Sequence, residues 1–168
     1  VDAFVAKLSS SGAHEWSASM GGMGTDVGRS VTVVGAGNVW AAGWTESTGW
    51  VNGGWKTRLD GVSDGYVVKM SPSGAHLWST LLGGSGADVI MGVAADPVAG
   101  VFAAGQTASS GWMRDGWDTS FGGDHDGFIA RVLDAPEETG GITVVMAPPE
   151  AVAAGARWRR VNTSAWHE

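Results

Sequence analysis

Residues 64–70, DGYVVKM, alternate their side chains with the period of a strand: Tyr66, Val68 and Met70 fall on one face, Val67 and Lys69 on the other. Both faces are largely apolar, as in a sheet covered on each side. The next four residues, SPSG, place Pro at the second and Gly at the fourth turn position, which predicts a type I turn closing a hairpin. The return strand is HLWSTLL at 76–82, followed by the glycine-rich bend GGSGAD. A third strand is predicted through VIMGVAA, the segment DPVAG turns, and VFAAGQT forms a fourth.

This pattern recurs. DAFVAKL starts at residue 2, DGYVVKM at 64 and DGFIARV at 126, so the period is 62 both times. Residues 2–63 align on 64–125 without a gap: SGAHEWS lies over SGAHLWS, GGMGTD over GGSGAD, VWAAGWT over VFAAGQT, and GWVNGGWKT over GWMRDGWDT. A gapless duplication makes each unit a module whose neighbours are copies of itself. Four strands with two apolar faces at a fixed spacing predict a β-propeller blade.

The series DGYVVKMSPSGAHLWSTLLGGSGAD followed by GVFAAGQT resembles the seven-bladed beta-propeller repeat (SBBP) family of bacterial proteins, over residues 1 to 133. GWMRDGWDT before the next DGF is similar to its longer-loop form. The resemblance implies an all-β partial propeller: two four-stranded blades, residues 2–63 and 64–125, plus the first strand of a third from 126. A closed ring needs at least four blades, so the remaining blades of the same propeller are expected partners. Residues 134–141 read as a linker, and 142–168 resemble the opening of a β-sandwich-like module of bacterial surface proteins, an incomplete β fragment. The start VDAFVAKL lies inside a strand and has no Met, so the chain is read as an internal fragment of a larger secreted or surface-displayed bacterial protein.

Composition narrows the partners. Glycine makes up 28 of 168 residues and proline 5, a signature of short strands and tight turns, and helix is disfavoured. The net charge of −7 gives no electrostatic footprint for nucleic acid or anionic membrane. No run of 18 apolar residues predicts membrane insertion. The chain has no cysteine, which removes disulfides and thiol chemistry and leaves the compartment open.

GGMGTDVGR and GGSGADVIM each match the calcium nonapeptide of β-rolls, which makes Asp26 and Asp88 candidate calcium ligands. β-Roll calcium sites need successive nonapeptides, whereas these copies stand 62 residues apart. The expected role is structural: glycines turn the chain sharply between blades, and the two aspartates accept hydrogen bonds in the turn. No cofactor is expected. The same glycines precede a strand pattern, unlike a dinucleotide loop, which opens a helix. His14 and His76 are repeated beside Trp16 and Trp78 and are expected to serve the blade. His125 sits between Asp124 and the repeated Asp126, with no further ligands placed around it. Asn162-Thr163-Ser164 is formally a glycosylation acceptor and reads as incidental.

In a repeated scaffold, function is sought where the copies differ. Glu46 faces Ala108, Asn52 faces Arg114, Gly53 faces Asp115, Lys56 faces Asp118, Arg58 faces Ser120 and Ser63 faces His125. All fall at 46–63 and 108–125, expected to be the loop between one blade's fourth strand and the next blade. The same loop carries the repeated Trp50 and Trp55, and Trp112 and Trp117. Buried, such rings fill the wedge between blades, the expected place for repeated residues; exposed, they stack on sugars or a partner protein. The candidate binding residues are therefore these four tryptophans with Asn52, Arg114, Asp115 and Asp118. No nucleophile, base and orienter assemble, so the chain is read as a non-enzymatic scaffold or recognition module for extracellular glycan or protein. Its rivals are the propeller portion of a hydrolase or lyase with a channel site, and a purely architectural spacer.

Overall fold

In the computed structural model, residues 1–96, 98 and 100–134 are described; the C-terminal β-module and all but the first residue of the linker lie outside them. The described chain is all-β: β1 (Ala3–Leu8), β2 (His14–Met20), β3 (Asp26–Val34), β4 (Asn38–Thr45), β5 (Asp64–Met70), β6 (His76–Leu82), β7 (Asp88–Ala95), β8 (Val101–Thr107) and β9 (Asp126–Val132). All ladders between these strands are antiparallel. The SPSG turn closes β5 on β6, with the Gly74 N–H donating to the Ser71 carbonyl at 3.0 Å.

Sheet membership differs from the sequence expectation. The order is β1-β2, then β3-β4-β5-β6, then β7-β8-β9. The four strands of residues 64–125 therefore do not share a sheet: β5 and β6 complete the second sheet, while β7 and β8 open the third. The long connections change role. Residues 46–63 join β4 to β5 within one sheet, and 108–125 join β8 to β9 within the next, whereas the short GGMGTD and GGSGAD bends step from sheet to sheet. Alternation along a strand fixes which side chains share a face and leaves its edge partners open. A repeat read from an arbitrary first residue thus has the right period and the wrong sheet boundary.

The two faces of β5 are used as the alternation predicts. Tyr66, Val68 and Met70 join Val39, Ala41 and Leu81 in a cluster that also takes Ala3 and Met20 from the first sheet. Val67 joins Trp40, Ala42 and Leu82 in a second cluster with Ile90, Val101, Phe128 and Val132 of the third sheet. Sheets stack face to face, and the same positions recur in each layer: Val101, Ala103, Phe128 and Val132 stand 62 residues after Val39, Ala41, Tyr66 and Met70.

The repeated A-A-G of β4 and β8 has a steric cause. Register slips between Gly28 and Ser30 on β3, and between Ile90 and Gly92 on β7. Opposite each slip the partner strand comes so close that a Cβ on Gly43 would lie 1.8 Å from the Val27 carbonyl oxygen, and one on Gly105 2.0 Å from that of Val89. Gly105→Ala must push two strands apart, and we expect a loss of about 1–3 kcal/mol in urea unfolding. An unchanged midpoint would show that the bulge relaxes freely.

Candidate functional site

The glycine-rich bends are organised around buried carboxylates. Asp88 is fully buried; its Oδ2 accepts the Gly84 N–H at 2.8 Å and the Ser109 hydroxyl at 2.7 Å, and its Oδ1 accepts the Thr107 hydroxyl. Trp112 Nε1 donates to Thr107 Oγ1 at 2.9 Å and sets its ring edge-on to Phe128, centroids 5.1 Å apart. The first copy repeats each contact: Asp26 accepts from Gly22, Thr45 and Ser47, Trp50 donates to Thr45, and Trp50 stands edge-on to Tyr66. The oxygens of both candidate calcium ligands thus serve as acceptors for the bend. The sequence reading passed over the hydroxyls, although T-x-S-x-x-W has the same spacing at 45–50 and 107–112.

The four tryptophans separate into two classes. Trp50 and Trp112 are half-buried against the cores, whereas Trp55 is 45% and Trp117 89% exposed. Their surroundings explain the difference. Residues 52–56 lie along the outer edge of β6: Ser79 N–H donates to the Asn52 carbonyl at 2.8 Å, Leu81 N–H to the Lys56 carbonyl at 2.7 Å, and Gly53 bridges Ser79. Lys56 Nζ continues inward to Asp64 Oδ2 and the Gly83 carbonyl, both at 2.8 Å. In the second copy the third sheet ends, among the described residues, at β9, so residues 114–118 have no such strand to lie on. Gly53 and Asp115 still share a left-handed backbone, φ 77° and 60°.

Beside 108–125 opens a cavity of about 830 Å³, with Phe102 and Ile129 on its apolar floor and Trp117, Asp118, Asp126 and Arg131 around it. The Asp118 carboxylate accepts the Ser120 N–H at 2.9 Å and hydroxyl at 2.6 Å, and these bonds hold it below the usual carboxylate range. Arg131 Nε donates to Asp96 at 2.6 Å while its guanidinium lies 5.8 Å from the Phe102 ring centre. A smaller hollow of about 520 Å³ between the loops brings together Trp55, Lys56, Asp60, Trp112 and Arg114. Of the remaining candidates, Asn52 is bound to β6, and Asp115 is exposed and lines neither hollow. His125 is exposed, while Ser63, its counterpart, is buried and bridges Ala87. Among the described residues no three His, Cys, Asp or Glu side chains converge as a metal site. The arrangement offers an apolar floor, one aromatic lip and both signs of charge, suited to holding a ligand by stacking and hydrogen bonds. Comparison with protein-family models and with curated proteins gives no match.

Proposed function

We propose that this chain is a non-enzymatic scaffold and recognition module, made of β-propeller blades of a secreted or surface bacterial protein. Its binding surface is loop 108–125 with the adjoining face of the third sheet. The layers support the blade reading, because each sheet buries the same positions against its neighbour. The observation that carries the recognition reading is the contrast between the loop copies: the repeated polar groups are consumed within the fold, while Trp117 stands 89% exposed at the cavity. An aromatic ring kept in solvent beside charged groups suits an extracellular glycan or protein partner.

The test is a panel of immobilised oligosaccharides and peptides probed with the chain and with Trp117→Ala. Loss of one stacked ring is expected to weaken the captured ligand at least tenfold, about 1.4 kcal/mol, with the melting temperature unchanged. Equal binding by both proteins would refute the assignment.

A further inference from the structure

One row of residues is filled differently in the second and third sheets. In the second, the register sets Gly28, Gly43 and Tyr66 side by side on β3, β4 and β5; in the third it sets Ile90, Gly105 and Phe128, each 62 positions on, across β7, β8 and β9. The central glycine is the one the bulge requires, so each row is filled from its ends. The Tyr66 hydroxyl reaches to 3.7 Å from where a Cβ on Gly28 would lie. Phe128 is shorter by that hydroxyl, and Ile90 fills the third-sheet row from the opposite end, fully buried in the cluster that holds Phe128.

The layer beneath each row is matched to it. Against Gly28 the first sheet presents Ala3, whose Cβ lies 3.5 Å from that same Cβ position, an ordinary contact. The counterpart of Ala3 is Gly65, and it lies under Ile90: a Cβ on Gly65 would stand 2.8 Å from Ile90 Cγ1 and 3.2 Å from its Cδ1. Two complementary sets result, Ala3 with Gly28 and Tyr66, and Gly65 with Ile90 and Phe128. They also account for a polar group left over in the core. The Tyr66 hydroxyl is buried with no hydrogen-bond partner among the described residues, and its place is explained by length, since it extends along the row that Gly28 does not fill.

We propose that the two sets are a size key that decides which copy stacks on which. A sheet carrying isoleucine at the Ile90 position accepts only a glycine-bearing strand beneath it, whereas a sheet carrying glycine there accepts alanine. Repeats this similar can stack in the wrong order within a chain or exchange between chains. A mismatch that costs stability selects against both, because specificity is the difference between the matched and the mismatched pairing. The inference concerns assembly of the sheets and does not rest on the recognition reading of loop 108–125.

The test builds the wrong pairing into one molecule and then repairs it, with the melting temperature of the full chain as readout. Gly65→Ala sets the first sheet's residue against Ile90 and is expected to lower the melting temperature by about 4 °C or more. Phe128→Tyr, which drives a hydroxyl toward Ile90, should lower it as well. In an Ile90→Gly background the same two substitutions are expected to change sign. The triple variant Gly65→Ala, Ile90→Gly, Phe128→Tyr carries the first junction's set and should melt about 4 °C or more above Ile90→Gly alone. If Ile90→Gly does not fold, recovery of a cooperative transition in the triple variant is the equivalent result. The proposal is overturned if Gly65→Ala is harmless with Ile90 in place, or if the triple variant is no more stable than Ile90→Gly or is unfolded like it.

Discussion

Replacing Asp88 by alanine is expected to destabilise the chain by on the order of 4 kcal/mol, because each buried donor left without its acceptor is worth about 1–3 kcal/mol. Three donors converge on this carboxylate: Gly84 N–H, the Ser109 hydroxyl and the Thr107 hydroxyl. Among the described residues, only Thr107 has a second acceptor within reach, the Ser109 carbonyl at 3.3 Å. The damage also reaches beyond the bend. Thr107 holds Trp112, and Trp112 packs on Phe128, so loosening one hydroxyl loosens a ring of the core between the second and third sheets. Asp88→Asn keeps the shape but turns an NH2 group toward donors, and about half the loss is expected. Urea unfolding followed by tryptophan fluorescence measures both variants. Calcium separates the structural role from the nonapeptide reading: millimolar calcium is expected to leave the wild-type midpoint unmoved. A calcium-dependent rise that vanishes in Asp88→Ala would instead assign the carboxylate to a metal.

The bends illustrate what the sequence made legible and why the rest was not. Strand positions and the 62-residue period were readable because the side-chain alternation of strands is local, and because Tyr66, Val67 and Val68 each find the face their parity assigns. The sheet boundary was not, since edge pairing is a long-range choice. The long 46–63 segment looked like the step between units, yet it is spent lining β6, and six glycine-rich residues make the step. Trp50 and Trp55 likewise repeat equally well in sequence. They diverge in space because only Trp50 has a hydroxyl, Thr45, placed to accept its indole N–H at 3.1 Å. The exchange of Lys56 for Asp118 was visible as a difference between copies, but its meaning needed the distance from Lys56 to Asp64.

Lys56→Met tests that meaning, with an expected loss of about 3–5 kcal/mol, the cost of leaving a buried charge without its partner. Asp64 is fully buried and its side chain touches solvent nowhere; Lys56 Nζ reaches its Oδ2 at 2.8 Å and the lysine side chain is itself only 12% exposed, while among the described residues Asp64 Oδ1 accepts no hydrogen bond. The more exposed Asp60 lies farther, at 3.4 Å, and compensates little. Burial already raises the Asp64 pKa above the ordinary 3.8, Asp88 nearby adds to the rise, and Lys56 opposes it. Without Lys56 the folded-state value must rise further. A carboxyl whose pKa is higher folded than unfolded costs nothing while protonated in both states, and its penalty grows as pH climbs from 3.8 through the raised value. The deficit of Lys56→Met relative to wild type should therefore be full at neutral pH and shrink as pH falls toward the ordinary carboxylate range. Adding Asp64→Asn to Lys56→Met removes the buried charge and should recover most of the loss at pH 7. A deficit equal at pH 7 and pH 4, and unrelieved in the double variant, would show that Lys56 acts through its aliphatic stem and its bond to the Gly83 carbonyl, with the charge on Asp64 playing no part.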